Sequence, residues 1–165
     1  MSKLEQAPHA ILSAAWFYAI QSKLIEPGNS DDFIWITRSI NGGYNGYDHR
    51  LEYLNRTVET LNLQGCLKRN KNGIYNFEES KAFNEKRAAC AWGMWHDSGL
   101  RKSGIANKTP AEAIKGYKRY LELDDAAGKP VDVQGNPKDQ GWYGIGKEKP
   151  VRYFAENRLK ILGGS

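Results

Sequence analysis

The chain has 165 residues, of which 40% are hydrophobic and 12% aromatic, and its formal net charge at pH 7 is +5. This composition is typical of one folded domain, or of one domain with a small appendage, and it excludes a disordered tail. No apolar run reaches the roughly 18 residues that a membrane-spanning helix needs, and no signal peptide is recognisable, so we expect synthesis in the cytoplasm and no membrane span.

The first predicted helix covers about 8–21, with Pro8 suited to its first turn. Aromatic rings stack on the apolar faces of sugars, so Trp16 has two interpretations: a core residue, or the border of a sugar-binding cleft. We interpret the apolar residues at helical spacing as a core face, which comprises Ile11, Leu12, Ala15, Trp16, Ala19 and Ile20.

A second helix is predicted to follow the break at Pro27-Gly28-Asn29, with Ser30 as its N-cap and Phe33, Ile34, Ile36 and Ile40 on its buried side. A third helix is predicted from about Tyr47 to Leu61, burying Leu51, Leu54, Val58 and Leu61. We expect residues 1–64 to form one helical lobe and residues 65–165 to form a basic, mostly helical extension packed on it.

The predicted extension is basic, because residues 66–165 hold nineteen Lys and Arg against twelve Asp and Glu, whereas residues 1–65 hold five against seven. A basic half suits an anionic partner such as peptidoglycan with its attached phosphates, nucleic acid or an acidic protein surface. Nucleic acid is the weaker choice, because the basic residues are dispersed among acidic ones without a continuous stripe.

Local signals divide the extension into elements. A short hairpin can form around the polar turn 68–73, and Asn76 with Glu79 resembles a capping box that predicts a helix from Phe77 to about Trp95. Thr109 and Pro110 begin a further helix. Residues 126–149 are predicted to be a long irregular loop, and residues 150–162 the last helix.

Cys66 and Cys90 are the two cysteines. They lack a CxxC or Cys/His cluster, so we expect no metal site, and nothing in the sequence indicates a cofactor. Two buried free thiols are the default interpretation, and one disulfide stays open if the protein meets an oxidising space.

The most distinctive stretch is a corner rich in Asn and Gly between the second and third helices. Its signature is Ile36-Thr37-Arg38, Ile40-Asn41-Gly42-Gly43, Asn45-Gly46, Asp48 and Arg50. The order and spacing of these residues resemble glycoside hydrolase family 19, which includes chitinases and the lysozyme-type endolysins of bacteriophages. The upstream run from Ser13 to Phe17 is also similar to a helix of that family. The resemblance covers about residues 4–62 and implies a mainly α, lysozyme-like fold for this lobe.

The resemblance also implies roles for individual residues. Asn41 would lie in a cleft and hold the attacking water or the substrate, and Arg50 would form an ion pair with a catalytic carboxylate. Gly42, Tyr44 and Asn45 of the same loop, together with Trp16, complete the predicted substrate-binding set. Both main roles suit the chemistry, since an amide donates and accepts at once and a guanidinium lowers the pKa of a nearby carboxyl. For Arg50, an inter-helix salt bridge is the alternative.

Family 19 enzymes carry their catalytic glutamates upstream, and this sequence leaves no room for that part of the domain. We therefore expect either a fragment of a larger gene or a chain retained for another purpose, because inverting hydrolysis needs both an acid and a base. The run from Ala88 to Gly99 is weakly similar to the family's first catalytic motif. It makes Asp97 a candidate acid in a permuted layout; the alternative is a helix end at which His96 meets the negative end of the dipole.

These observations lead to two hypotheses. The first is an endolysin-like protein of phage or prophage origin that binds cell-wall glycan, or that works as one part of a split glycosidase with a partner chain supplying the carboxylates. It would act at the bacterial cell wall or in a virion. The second is a non-enzymatic virion or interaction protein, with phage tail proteins as partners and with Trp142 to Gly146 and the basic half as its contact surface.

Overall fold

A computed structural model describes residues 7–65, 76–128, 142–145 and 150–164. Within these ranges the fold is mainly helical, as the sequence predicts, and it contains no β-strand beyond one isolated bridge. The helices are α1 (Ala7–Trp16, continued by a π-helical turn, Phe17–Gln21), α2 (Ile25–Asn29), α3 (Phe33–Asn41), α4 (Tyr47–Leu63), α5 (Lys86–His96), α6 (Pro110–Ala127) and α7 (Val151–Leu162), with two 3-10 turns, Phe77–Glu79 and Lys81–Asn84. Each helix in the described part of the chain is too short or too polar to span a bilayer.

Helix α5 is the centre of the core, since its nine consecutive residues from Ala88 to His96 are all buried. It packs against α6 at a point where Gly93 faces Gly116. A Cβ added at Gly116 would collide with the backbone nitrogen of Gly93, so the two helix backbones can approach this closely only without side chains there. The close crossing buries the side of α5 that faces α6.

A single hydrophobic cluster draws on both of the predicted units. Phe33, Ile34, Tyr44 and Tyr47 come from the first 64 residues, and the cluster continues through the second half with Phe77, Trp92, Met94, Tyr117, Val151 and Leu159 among its members. The described parts of the two predicted units therefore share one hydrophobic cluster. Of the predicted buried positions in α4, Val58 is buried, whereas Leu51 and Leu54 are half-buried.

The helix predicted from Phe77 to Trp95 is wrong in its first part. Asn76 does cap a turn, because its side chain accepts a hydrogen bond from the Glu78 amide, but that 3-10 turn ends at Ser80 in an extended conformation. The Ser80 hydroxyl donates to Asp32 over 2.6 Å, and the Lys81 amide donates to the same carboxylate over 2.8 Å in place of a helical hydrogen bond. Helix α5 then begins with Glu85 as its cap.

Of the other predicted N-caps, the one of α6 is confirmed and the one of α3 is wrong. Thr109 caps α6 as expected, accepting a hydrogen bond from the Glu112 amide, with Pro110 in the first turn. Asp32, not Ser30, caps α3, since its carboxylate accepts from the Trp35 amide over 3.0 Å. Ser30 instead ends the short helix α2.

The apolar stripe of α1, predicted to be a core face, is exposed. Neither α1 nor its π-helical continuation contains a buried residue. The exposed fractions are 68% for Ile11, 65% for Leu12, 55% for Trp16 and 61% for Ile20. The prediction was wrong because helical periodicity identifies an apolar face without identifying what covers it.

The predicted hairpin at 65–75 and most of the predicted loop at 126–149 lie outside the described residues. Within that loop, Trp142 and Ile145 form an isolated antiparallel bridge around a tight turn. The Trp142 ring packs edge-on against Tyr120, and the Tyr143 ring packs edge-on against Trp95. These aromatic rings therefore anchor the turn on the core, where they are half-buried.

Candidate functional site

The corner between α3 and α4 is shaped by two glycines in the left-handed region. Gly42 ends α3 with φ of 66°, and Gly46 precedes α4 with φ of 69°. Side chains other than glycine rarely adopt such φ values, so the glycines allow the chain to reverse direction within a few residues. The corner brings the end of α3 beside the first turn of α4, which places Asn41 near Arg50.

Asn41 and Arg50 are in direct contact. Nη2 of Arg50 donates a hydrogen bond to Oδ1 of Asn41 over 3.1 Å, and Nδ2 of Asn41 donates to the backbone carbonyl of Asn45 over 2.6 Å. The side-chain amide therefore uses its acceptor and one donor within the corner and has a second N–H left. Arg50 is half-buried and Asn41 is exposed, so this polar pair lies at the surface.

Trp95 of α5 packs against the corner and forms a hydrogen bond with it. Its indole nitrogen donates to Oδ1 of Asn45 over 3.3 Å and to the carbonyl of Ser103 over 2.9 Å. A Cβ added at Gly43 would lie 2.7 Å from the Trp95 ring, so the glycine is needed for this contact. The side chain of Asn45, predicted to bind substrate, is thus oriented by a residue of the second half.

The segment 103–106 covers the other side of the corner. Gly104 has φ of 112°, and an added Cβ there would collide with the backbone of Tyr44 and Gly46. The Asp48 amide donates to the Gly104 carbonyl over 2.9 Å, and the Asp48 carboxylate accepts from the Ala106 amide over 2.6 Å. The corner is therefore held between α5 and a distant loop.

Tyr44, predicted to bind substrate, is fully buried beneath the corner. Its hydroxyl donates to the Ala88 carbonyl over 3.3 Å, and its ring packs edge-on against Trp92 and Trp95. Burial raises the pKa of Tyr44 well above its ordinary value, since the phenolate would be desolvated. Tyr44 thus supports the loop from the core and offers no surface to a ligand.

A cleft of about 440 Å³ lies beside the corner. Its polar side chains include Arg50, Asp31 and Thr37, and the residues that complete its lining are Tyr18, Gly28, Phe33, Ile36, Tyr53 and Leu54. Thr37 is fully buried, and its hydroxyl has no hydrogen-bond partner among the described residues. Apolar and aromatic walls with a few polar groups are typical of small-molecule sites of this size.

Several lining residues were missed by the sequence interpretation. Arg50 is among the lining residues, whereas the predicted substrate-binding residues are not: Trp16, Asn41, Gly42, Tyr44 and Asn45. Trp16 is exposed and does not line the cleft, whereas Tyr18 does, since residues two positions apart in a helix point to different sides. Tyr53 lies one turn after Arg50 in α4, at the spacing that places two residues on one side of a helix. That spacing is the signal that identifies Tyr53 from the sequence.

Asp97, the candidate acid, forms a buried ion pair with Arg158. Its two carboxylate oxygens accept from Nε and Nη2 of Arg158, each over 2.7 Å, and it also accepts from the Tyr117 hydroxyl over 3.0 Å and the Gly99 amide over 2.9 Å. The carboxylate is fully buried. A general acid must reach the leaving oxygen of its substrate, and this geometry gives Asp97 a structural role instead.

His96 precedes Asp97 and is buried against the Trp92 ring, with 4.4 Å between the ring centroids. Burial lowers the pKa of His96 to about 4, although the carboxylates of Glu112 and Asp48 partly oppose this shift. The imidazole is therefore neutral near pH 7. It carries no charge to interact with the negative end of the α5 dipole, contrary to the alternative considered for this helix end.

Cys90 is a free, buried cysteine, as expected, and burial raises the pKa of its thiol to about 12. Such a thiol is unreactive, because the thiolate is the nucleophile. Cys66 lies outside the described residues. The described part of the chain contains no group of His, Cys, Asp and Glu side chains arranged to hold a metal ion.

The cleft has the size and the lining of a small-molecule site, but its described residues do not include the pair of carboxyl groups that inverting hydrolysis uses. Asp31 is the one carboxylate among the described residues that line it. Inverting glycoside hydrolysis uses two carboxyl groups about 6.5–9.5 Å apart. Comparison with known proteins adds no relative, since no protein-family model, no curated protein and no solved structure matches this chain.

Proposed function

We propose that this chain is a glycan-binding protein related to the family 19 peptidoglycan and chitin hydrolases, of the endolysin type found in phages and prophages. Its ligand is a cell-wall glycan, bound in the cleft beside Arg50. It acts at the bacterial cell wall or in a virion. The resemblance of residues 36–50 to the family signature is the starting point of this proposal.

The contact between Asn41 and Arg50 carries the proposal. The resemblance implies that these two side chains serve one site, and the hydrogen bond between them over 3.1 Å joins an amide to a guanidinium. Arg50 also lines the cleft, together with the exposed aromatic ring of Tyr53. Sugars are bound by this combination, because a pyranose presents apolar C–H faces to aromatic rings and hydroxyls to polar side chains.

Hydrolysis is proposed to need a second chain. Asp31 alone lines the cleft among the described carboxylates, and the hydrogen bond of Arg50 goes to an amide. The guanidinium has five N–H donors, which leaves several for a carboxylate that a partner supplies. The chain is then one part of a split glycosidase, and alone it binds glycan without cleaving it.

Binding to purified peptidoglycan sacculi and to soluble chitin oligosaccharides tests the proposal. We expect Arg50→Ala and Tyr53→Ala each to weaken binding about 10-fold or more, since each removes a charge-assisted hydrogen bond or a stacking surface. Arg101→Ala, at an exposed position outside the cleft lining, is the matched control. Wild-type protein that binds neither glycan, while its circular dichroism shows a folded helical chain, contradicts the proposal.

A turbidity assay on permeabilised bacteria tests the split arrangement. The chain alone is expected to leave turbidity unchanged, and activity is expected only when a protein bearing the missing carboxylates is added. Lysis by the chain alone would show a complete hydrolase and overturn the split arrangement while leaving glycan binding intact.

One observation favours a second candidate function, a non-enzymatic virion or interaction protein. Helix α1 exposes a row of large apolar side chains, and such surfaces are typical of protein interaction sites. Co-purification with phage tail proteins, in the absence of any glycan binding, would select this candidate.

A further inference from the structure

We propose that two copies of this chain associate through the α1 face, which we define as Ile11, Leu12, Ala15, Trp16, Ala19 and Ile20. This inference concerns a surface away from Arg50 and goes beyond glycan binding. The face has the spacing of a helix that packs against another helix, with apolar residues at i, i+1, i+4, i+5, i+8 and i+9. Nothing in the described chain covers it, since α1 has no buried residue.

The exposed area matches what a stable dimer needs. The four large apolar side chains of the face, Ile11, Leu12, Trp16 and Ile20, are between 55% and 68% exposed. With on the order of 200 Å² for each fully exposed residue, they offer roughly 500 Å². A standard interface buries about 800 Å² on each partner, of which a little more than half is apolar, so the face supplies the apolar area that a dimer of ordinary size needs.

The chemistry of the surface favours a second copy of the chain. Residues 7–22 contain no Asp, Glu, Lys or Arg, so the surface selects no partner by charge and does not repel its own copy. A two-fold axis brings identical patches together, which requires a patch that can pack against itself. Ala15 and Ala19 lie in the middle of the face between larger side chains, so two copies of α1 can approach closely along this line.

Other occupants fit the surface less well. A helix that lies on a membrane surface is typically rich in Lys and Arg on its polar side, and residues 7–22 have none. The chain's own segments 1–6, 66–75, 129–141 and 146–149 hold only seven Met, Val, Leu, Ile or Tyr residues among 33, too few to match the α1 face. A second copy supplies an equal apolar area without a second gene product.

The π-helical turn connects this surface to the cleft. Tyr18 adjoins the α1 face and also lines the cleft, and its hydroxyl packs on Gly28. A partner on the α1 face that also contacts Tyr18 would restrict a side chain of the cleft lining, and this coupling rests on the ligand proposed above. Association and ligand binding at the cleft are expected to influence one another in equal measure, as thermodynamic linkage requires.

The molecular mass in solution tests the proposal. Analytical ultracentrifugation of the full chain from about 1 to about 100 µM is expected to show twice the 18.6 kDa of one chain at the upper end. Trp16→Glu places two unpaired carboxylates in the symmetric interface and is expected to raise the dissociation constant about 30-fold or more. Ile161→Glu is the control, because Ile161 is 61% exposed on α7, away from α1.

A cross-linking experiment tests the symmetry. Ala15→Cys in a Cys66→Ser background is expected to form a disulfide-linked dimer on mild oxidation, since an axis through the α1 face brings the two positions together. A monomer at every concentration overturns the proposal. A dimer that survives Trp16→Glu overturns it too, as does binding of a monomer to anionic lipid vesicles. Glycan binding is measured in a separate experiment. A chain that binds no glycan would therefore contradict the proposed function without affecting the test of dimerisation.

Discussion

Helices α1 and α5 are both apolar, yet one is exposed along its length and the other is buried from Ala88 to His96. The two helices differ in the hydrogen bonds and ion pairs that their ends form with other helices. Glu85 caps the start of α5 and forms an ion pair with Arg38 of α3, and Asp97 ties its end to Arg158 of α7. Residues 7–22 have no charged side chain with which to form such ties. An apolar periodicity shows that a helix has a face that can be buried. The polar groups at its ends determine which helices it packs against.

The largest effect is expected from breaking the tie at the end of α5. Arg158→Ala leaves the Asp97 carboxylate buried without its cation, and removing one partner of a buried pair costs about 3–5 kcal/mol of unfolding free energy. Urea denaturation followed by circular dichroism measures the change. Arg101→Ala is the control, and the double variant Asp97→Asn with Arg158→Met is expected to recover part of the loss. A change below about 1 kcal/mol would show that α5 is held by packing alone.

A matched pair of substitutions compares the two helices directly. Met94→Ala removes a buried side chain from α5 and is expected to cost about 3 kcal/mol, because it leaves a cavity. Leu12→Ala removes a side chain that is 65% exposed and is expected to cost less than about 0.5 kcal/mol. Denaturation at a concentration where the chain is monomeric measures both. Equal costs would mean that α1 is covered within one chain.

A smaller effect is expected from pH, through His96 of α5. Its pKa is about 4 in the folded chain and about 6.5 when unfolded, so between these values the unfolded chain binds a proton that the folded chain does not. Stability therefore falls as pH falls through this window, by about 2 kcal/mol between pH 6.5 and 5.

The variant His96→Leu isolates this effect. It is expected to flatten the pH dependence of the unfolding free energy, whereas His49→Leu, at an exposed position on α4, is expected to leave it unchanged. An unaltered slope in His96→Leu would assign the pH dependence to carboxylates elsewhere.

The sequence predicts the elements of this fold better than their packing. The Thr109 cap, the glycine-rich corner and the mainly helical class all follow from short-range chemistry, which neighbouring residues determine. The interruption at Ser80 depends on Asp32, which is far away in the sequence. The exposure of α1 likewise depends on which surfaces are present to cover it, and no local pattern contains that information.

The candidate site shows the same division. The contact between Asn41 and Arg50 joins two residues of one local motif, whereas the ion pair of Arg50 with a catalytic carboxylate stays a prediction. The buried positions of Tyr44 and Asp97 were not predicted, since each depends on a partner from another element, Ala88 in one case and Arg158 in the other. Thr37 was missed as a cleft residue, because burial without a partner has no sequence signal.

The loop that covers the corner has a consequence for how this protein can change. Gly104 packs closely on the backbone of Tyr44 and Gly46, so the turn between α3 and α4 is covered by residues more than fifty positions downstream. A recombination event at residue 65 would transfer the turn without the Gly104 segment that covers it and without Trp95, which donates a hydrogen bond to it. Swapping this motif between proteins therefore requires both stretches, and the two halves of the chain are expected to be inherited as one.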